Sequence, residues 1–191
     1  MKSYKVGYIV GSLAKASINR KLAKALMRLA PAGLTFTEIP IGDLPLYSYD
    51  YDANFPDAAM KLKKGIADSD AVLFVTPEYN RGIPGALKNA IDWASRPHGT
   101  NSFARKPSAV IGTSPGKIGT AVAQQQLRSA LAFCNSPQMN SPEAYIQFTK
   151  DLIDDAGNVS DDSTKEFLTK YMVRFYEFID MVVPCLTSSR N

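Results

Sequence analysis

Histidine is nearly absent from this chain: His98 is the single one in 191 residues, in the turn-like stretch "RPHGTN". A multi-histidine metal site is thereby excluded, and a Ser-His-Asp triad would rest on one loop residue that reads as solvated. Cysteine is almost as scarce. Cys134 and Cys185 fit no metal or CxxC spacing, and in a reducing compartment both read as structural. Long apolar runs are missing too, since stretches such as "AVLFV" fall far short of the roughly 20 residues a membrane-crossing helix needs. The opening "MKSYKVGYIVG" lacks the roughly 7 to 15 apolar residues of a signal-peptide core, so it reads as a first strand and the chain is expected in the cytoplasm. No block of one charge stands out either. The net charge of +4 comes from lysines and arginines scattered among acids, which gives no nucleic-acid footprint but favours an anionic small molecule. An enzyme with so little side-chain machinery needs a bound cofactor to carry its chemistry.

What is present is a regular alternation. "YKVGYIVG" is β-branched and aromatic and predicts a strand, and "RKLAKALMRLA" puts Leu22, Ala25, Leu26, Leu29 and Ala30 on one helical face. The pattern repeats through strand "LTFTEI", helix "DAAMKLKKGIADSD", strand "AVLFVT", helix "GALKNAIDWAS", strand "SAVIGT", helix "AVAQQQLRSALAF", strand "AYIQF" and a last helix from about Ser163 to Val183. Such alternation means right-handed βαβ units, a parallel sheet and helices on both faces. The predicted class is α/β: a flavodoxin-like three-layer α/β/α sandwich with a five-stranded parallel sheet in the order 2-1-3-4-5, a single domain over 1–191. The stripe Leu168, Tyr171, Met172, Phe175, Phe178, Ile179, Val182 reads as core or subunit interface. Trp93 lies off the Leu87, Ala90, Ile91, Ala94 stripe of its helix and reads as an interface anchor. The loop "LPLYSYDYDANF", with Tyr47, Tyr49, Tyr51 and Phe55, reads as ordinary loop packing, with a wall on the substrate side as the alternative.

In this fold ligands bind beyond the carboxyl ends of strands 1 and 3, where the winding reverses. Three loops meet there. "GSLAKASINR" carries Ser12, Ser17 and Asn19 at a helix N-terminus, whose free amides and dipole favour a phosphate; helix capping alone is the alternative for Ser17 and Asn19. The dinucleotide pattern GxGxxG is missing, since only Gly11 is present. "IGTSPGKIGT" fails as a Walker A loop, with Ile111 in place of the first glycine and Ile118 after the lysine. A monophosphate held by side-chain donors fits better. "TPEYNRGIPG" and "GTSPGKIG" supply stiff prolines, glycines for close approach and Tyr79 as an aromatic wall, which together describe a crevice for a phosphate-bearing planar ring.

"GSLAKASINRKLAKAL", "TPEYNRGIPGALKNAIDWASRP" and "GTSPGKIGTAVAQQQLR" resemble the NADPH-dependent FMN reductase family, which includes bacterial quinone, azo-dye and chromate reductases. The likeness is clearest from about Lys5 to Leu131, and most specific in "PEYN" followed by "PGALKNAIDW". It implies tight, non-covalent FMN, NADPH or NADH as reductant, a small-molecule electron acceptor, and a homodimer or homotetramer. It also implies that the FMN phosphate lies on Ser12, Ser17 and Asn19 with the intervening Leu13, Lys15 and Ile18. Pro77, Glu78, Tyr79 and Asn80 would edge the isoalloxazine, and Gly112, Thr113 and Ser114 its far side. Many relatives carry arginine where this chain has Ala14, which removes a cation near the phosphate; Lys15 stands beside it. No catalytic side chain is expected, because the flavin itself exchanges hydride, and one exposed ring face would serve reductant and acceptor in turn, giving ping-pong kinetics. The alternative is a flavodoxin-type electron carrier, which the basic charge balance disfavours.

Overall fold

The computed structural model describes residues 1–188; residues 189–191, the end of the expected single domain, lie outside the described residues. Five strands, β1 (Tyr4–Val10), β2 (Leu34–Glu38), β3 (Ala71–Val75), β4 (Ser108–Ser114) and β5 (Tyr145–Gln147), alternate with five helices. These are α1 (Ile18–Leu29), α2 (Asp57–Ala67), α3 (Gly85–Ala94), α4 (Ala121–Phe133) and α5 (Asp162–Ser188). The four strand pairings are parallel and run in the order 2-1-3-4-5, as the alternation predicts. The chain steps outward from β1 to β2 and then returns to build β3, β4 and β5 on the other side. The loops leaving β1 and β3 therefore part from one another and open a crevice between them.

Burial explains why β3 reads as a continuous apolar run. Ala71, Leu73 and Val75 join the core formed with α1 and α5, while Val72 and Phe74 join the core under α2, α3 and α4. Successive side chains of a strand point to opposite faces, so a central strand covered on both sides has no polar face to show. On α5, Leu168, Tyr171, Met172, Phe175 and Ile179 are buried, which places that stripe in the core. The helix continues past the expected end at Val183, through Pro184, to Ser188. His98 is exposed, as expected, Cys134 is buried and Cys185 is exposed.

Trp93 corrects one expectation. It is fully buried in the core, not an interface anchor. Tyr47, Tyr51 and Phe55 close over its ring with centroids 5.1, 5.4 and 5.0 Å away, and its Nε1 donates to the Pro45 carbonyl at 2.7 Å. The aromatic loop is thus packed on α3, which supports the loop-packing reading. Polar groups fasten the same corner: Arg96 pairs with Asp52 and donates to the Tyr47 hydroxyl at 2.9 Å. Lys63 Nζ donates to the carbonyls of Ala94, Arg96 and Thr100, serving carbonyls at the end of α3 and just beyond it. Burial pushes the Lys63 ammonium down and the Tyr47 hydroxyl up from their ordinary values, the latter with help from its bond to Asp52.

Candidate functional site

The site is built from three chain segments that leave β1, β3 and β4 on one rim of the sheet. Gly11 makes the last sheet bond of the first segment, its amide donating to Val75 at 2.9 Å. Among the described residues, none of the amides from Ser12 to Asn19 then donates to the protein. Ser17 is the N-cap of α1, its hydroxyl accepting from the Arg20 amide at 3.3 Å. The free N–H groups at a helix start carry a partial positive charge, so a run of them forms a ready anion cradle. No acidic residue occupies the first turn of α1 to compete for it.

A cleft of about 230 Å3 lies alongside this cradle. Of the residues singled out by sequence, Ser12, Ser17, Ile18, Asn19, Pro77, Glu78, Tyr79, Thr113 and Ser114 line it, joined by Ala14, Ala16 and Pro115. Leu13, Lys15, Asn80 and Gly112 do not line it. Leu13 and Lys15 are exposed on the outside of the first loop, and Asn80 on the tip of the second. Tyr79 is half exposed and offers a ring face at the mouth. A second cleft of about 540 Å3 adjoins the first, and the two share Glu78 and Ser114 in their walls.

Several of the residues expected at the ligand brace the loops against one another. The Asn19 side chain grips the backbone of Thr113, Nδ2 donating to its carbonyl at 2.9 Å and Oδ1 accepting from its amide at 3.0 Å. Both residues are buried, so the bridge ties the start of α1 to the end of β4 out of reach of bulk water. One Nδ2 proton is left for a ligand. Thr113 itself is wholly committed, because its hydroxyl donates to the Ile146 carbonyl at 2.9 Å. Gly112 stands where a Cβ would run into the Thr76 carbonyl, so its lack of a side chain lets β3 and β4 end close together. The Glu78 carboxylate accepts from the Ala123 amide at 3.0 Å and pairs with Arg81 at 3.2 Å. It caps α4, whose own N-cap, Thr120, makes no side-chain capping bond, its hydroxyl accepting instead from Gln124 Nε2 at 2.9 Å. The Ser114 hydroxyl is turned inward to the Gly116 and Gly119 carbonyls and shapes the third loop.

The second loop is held in a costly form. Asn80 and Arg81 both have positive φ, 51° and 60°, at the centre of a turn closed by paired bonds between Tyr79 and Gly82. Two left-handed central residues make a type I′ turn, which Asn-Gly satisfies best; here arginine takes the second place. Sequence gave no signal for that geometry, because glycine follows one position later. Ala16 and Pro115 were also missed, although the small residue and the "SPG" turn are the kind of sequence that lets a ligand approach closely.

A 2-1-3-4-5 parallel sheet whose switch point carries an amide cradle next to an aromatic-walled cleft defines the flavodoxin-like class of phosphate-ligand proteins. The model of the NADPH-dependent FMN reductase family matches residues 4–151, and the chain belongs to that family. Among its relatives, a 2-hydroxy-1,4-benzoquinone reductase of a Burkholderia species is 48% identical over 92% of this chain and 96% of its own. An NAD(P)H-dependent FMN reductase of Pseudomonas aeruginosa is 40% identical over 88% and 91%. The solved structure of FerB, a flavoenzyme NAD(P)H:(acceptor) oxidoreductase from Paracoccus denitrificans, superposes with a TM-score of 0.90 at 47% identity, covering 94% of this chain and 98% of that one.

Proposed function

We propose that this chain holds FMN in the rim cleft and uses it to pass electrons from NAD(P)H to quinones and other small electrophiles. The observation that carries the reading is the unbonded run of amides from Ser12 to Asn19, beside a cleft walled by Tyr79. A terminal phosphate satisfies such a cradle, and a planar ring satisfies such a wall. FMN supplies hydride acceptance and onward electron transfer when bound, which no side chain here provides. The protein's part is positional. Ser12, Ser17 and the amides between them fix the phosphate; Pro77, Tyr79 and the Glu78 backbone edge the ring; the Asn19 and Glu78 braces keep the loops at a constant spacing. Because the cleft is open at its mouth, one exposed ring face can receive reductant and acceptor in turn.

Family membership supports FMN and NAD(P)H, and quinone reductases among the relatives support a small-molecule acceptor. Azo dyes, chromate and free flavin belong to the same acceptor class, since each needs only access to the ring. We propose further that the chain is one FMN-binding domain over 1–191 working in the cytoplasm as a homodimer or homotetramer. The buried free thiol of Cys134 suits a reducing compartment, and the exposed apolar Leu13, Leu46 and Tyr49 suit burial against another copy. Among the described residues no helix is long and apolar enough to cross a membrane. The test is the visible spectrum of the purified protein reconstituted with FMN and mixed with NADPH without oxygen. Prompt bleaching of a protein-bound flavin band is expected, and quinone should restore it. Bound flavin that stays oxidised would point to an electron carrier, and failure to bind flavin would overturn the reading of the loops.

A further inference from the structure

The larger cleft next to the flavin site has a chemistry of its own. Its charged walls are Glu78, Arg81 and Lys117, and the loop Gly116 to Gly119 forms one side. Glu78 is already neutralised by Arg81 and by the Ala123 amide at the start of α4. Lys117 makes no hydrogen bond or ion pair among the described residues, so the cleft keeps an uncompensated cation. Among the described residues the amides of Gly116, Lys117 and Ile118 likewise have no protein acceptor. A lysine over a short run of free amides recognises phosphate oxygens by charge and by donor count together.

Arg81 adds an independent observation. It holds a positive φ of 60° at the turn position that glycine fills most easily, and two-thirds of its side chain is exposed. A strained conformation kept for a long cation, where glycine would relax it, signals that the side chain has a task at that spot. Its guanidinium needs only part of its donor set for Glu78, and the remaining N–H groups are free for a second anion.

We infer that Arg81 and Lys117 form the seat for the phosphate groups of the pyridine dinucleotide reductant, alongside the flavin. The inference rests on the FMN and NAD(P)H reading of the first cleft. The two clefts share Glu78 and Ser114, so a dinucleotide can lay its nicotinamide over the ring and carry its phosphates next door without leaving the protein surface. The bound phosphate is either the pyrophosphate, common to NADH and NADPH, or the 2′-phosphate of NADPH alone.

The experiment uses FMN-loaded wild-type, K117A, R81G and R81K proteins with three donors: NADPH, NADH and the phosphate-free N-benzyl-1,4-dihydronicotinamide. Losing a charged hydrogen bond is worth roughly tenfold or more in affinity. The KM for NADPH should therefore rise about tenfold in K117A and R81G relative to the KM for the phosphate-free donor, with R81K retaining part of the affinity. R81G is also favoured by its backbone, because glycine accepts the φ that arginine bears under strain. A parallel rise for NADH assigns the seat to the pyrophosphate, and a rise for NADPH alone assigns it to the 2′-phosphate. Unchanged KM ratios in both K117A and R81G, or equal rises for all three donors, overturn the inference while leaving the flavin reading intact. A wild-type flavin reduced by the phosphate-free donor but by neither dinucleotide overturns both.

Discussion

Replacing Asn19 with alanine tests whether the site depends on braces or on ligand contacts. The change removes two hydrogen bonds at 2.9 and 3.0 Å and strands the amide and carbonyl of Thr113, a residue with no exposed surface. An unsatisfied buried polar group costs about 1–3 kcal/mol, and water entering from the adjoining cleft will recover part of that, so we expect a loss of about 2–4 kcal/mol. For a chain of this length that corresponds to a fall in Tm of roughly 5–15 °C. Urea unfolding should be followed on protein stripped of FMN, so that ligand binding to the folded state does not enter the comparison. Asn19→Asp is the companion variant: it can still accept from the Thr113 amide but sets a carboxylate against the Thr113 carbonyl, and should do no better than alanine. A loss below about 1 kcal/mol, together with a tenfold or greater drop in FMN affinity, would refute the brace and return Asn19 to the phosphate.

Ser17→Ala should weaken FMN binding about ten- to a hundredfold in fluorescence titrations if its hydroxyl also meets the phosphate, whereas loss of the cap alone would lower stability by about 1 kcal/mol and leave affinity near wild type. Trp93→Ala should cost about 3–5 kcal/mol by urea unfolding, because a fully buried indole is lost and the Pro45 carbonyl keeps only Asn89 Nδ2 of its two donors; an oligomer that dissociates without loss of monomer stability would revive the interface assignment. Asp161 accepts from the Ser163 hydroxyl and the Thr164 amide at the start of α5, which holds its carboxyl down at about 2. Its contribution is present above the ordinary value of 3.8 and is lost as pH falls through the folded value of about 2. Asp161→Asn should therefore flatten the acid side of the stability profile in that window, and an unchanged slope would count against the cap.

The layered fold was legible because its rules are local. A strand buried on both faces must be apolar throughout, as "AVLFV" is, and a helix laid on a sheet must show a stripe, as Leu22, Ala25 and Leu26 do. Trp93 misled because the stripe argument counts only the sheet as a partner. Its ring is covered from the side by residues 45–55, and no periodicity within α3 records that. The rim was legible as a place, since glycine, proline and hydroxyl residues after parallel strands mark it. The division of labour within it was not. Asn19 meets a backbone 94 positions away and Glu78 a helix start 45 positions away, so their task depends on how the loops come together and not on the residues nearby.

The Asn19 and Glu78 braces have a consequence for how this scaffold can change. Loop order is secured by buried or half-buried groups set behind the cleft, while Leu13, Tyr79, Asn80 and Ile118, at the mouth or on the loop tips, are exposed and join neither brace. Substitutions at Leu13, Tyr79 and Ile118 touch few packed neighbours and so leave the stability of the single chain nearly untouched, whereas Asn80, with its φ of 51°, is replaced without cost only by glycine. Selection is then free to retune which electrophile meets the ring, one surface residue at a time, without reopening the question of whether the chain folds.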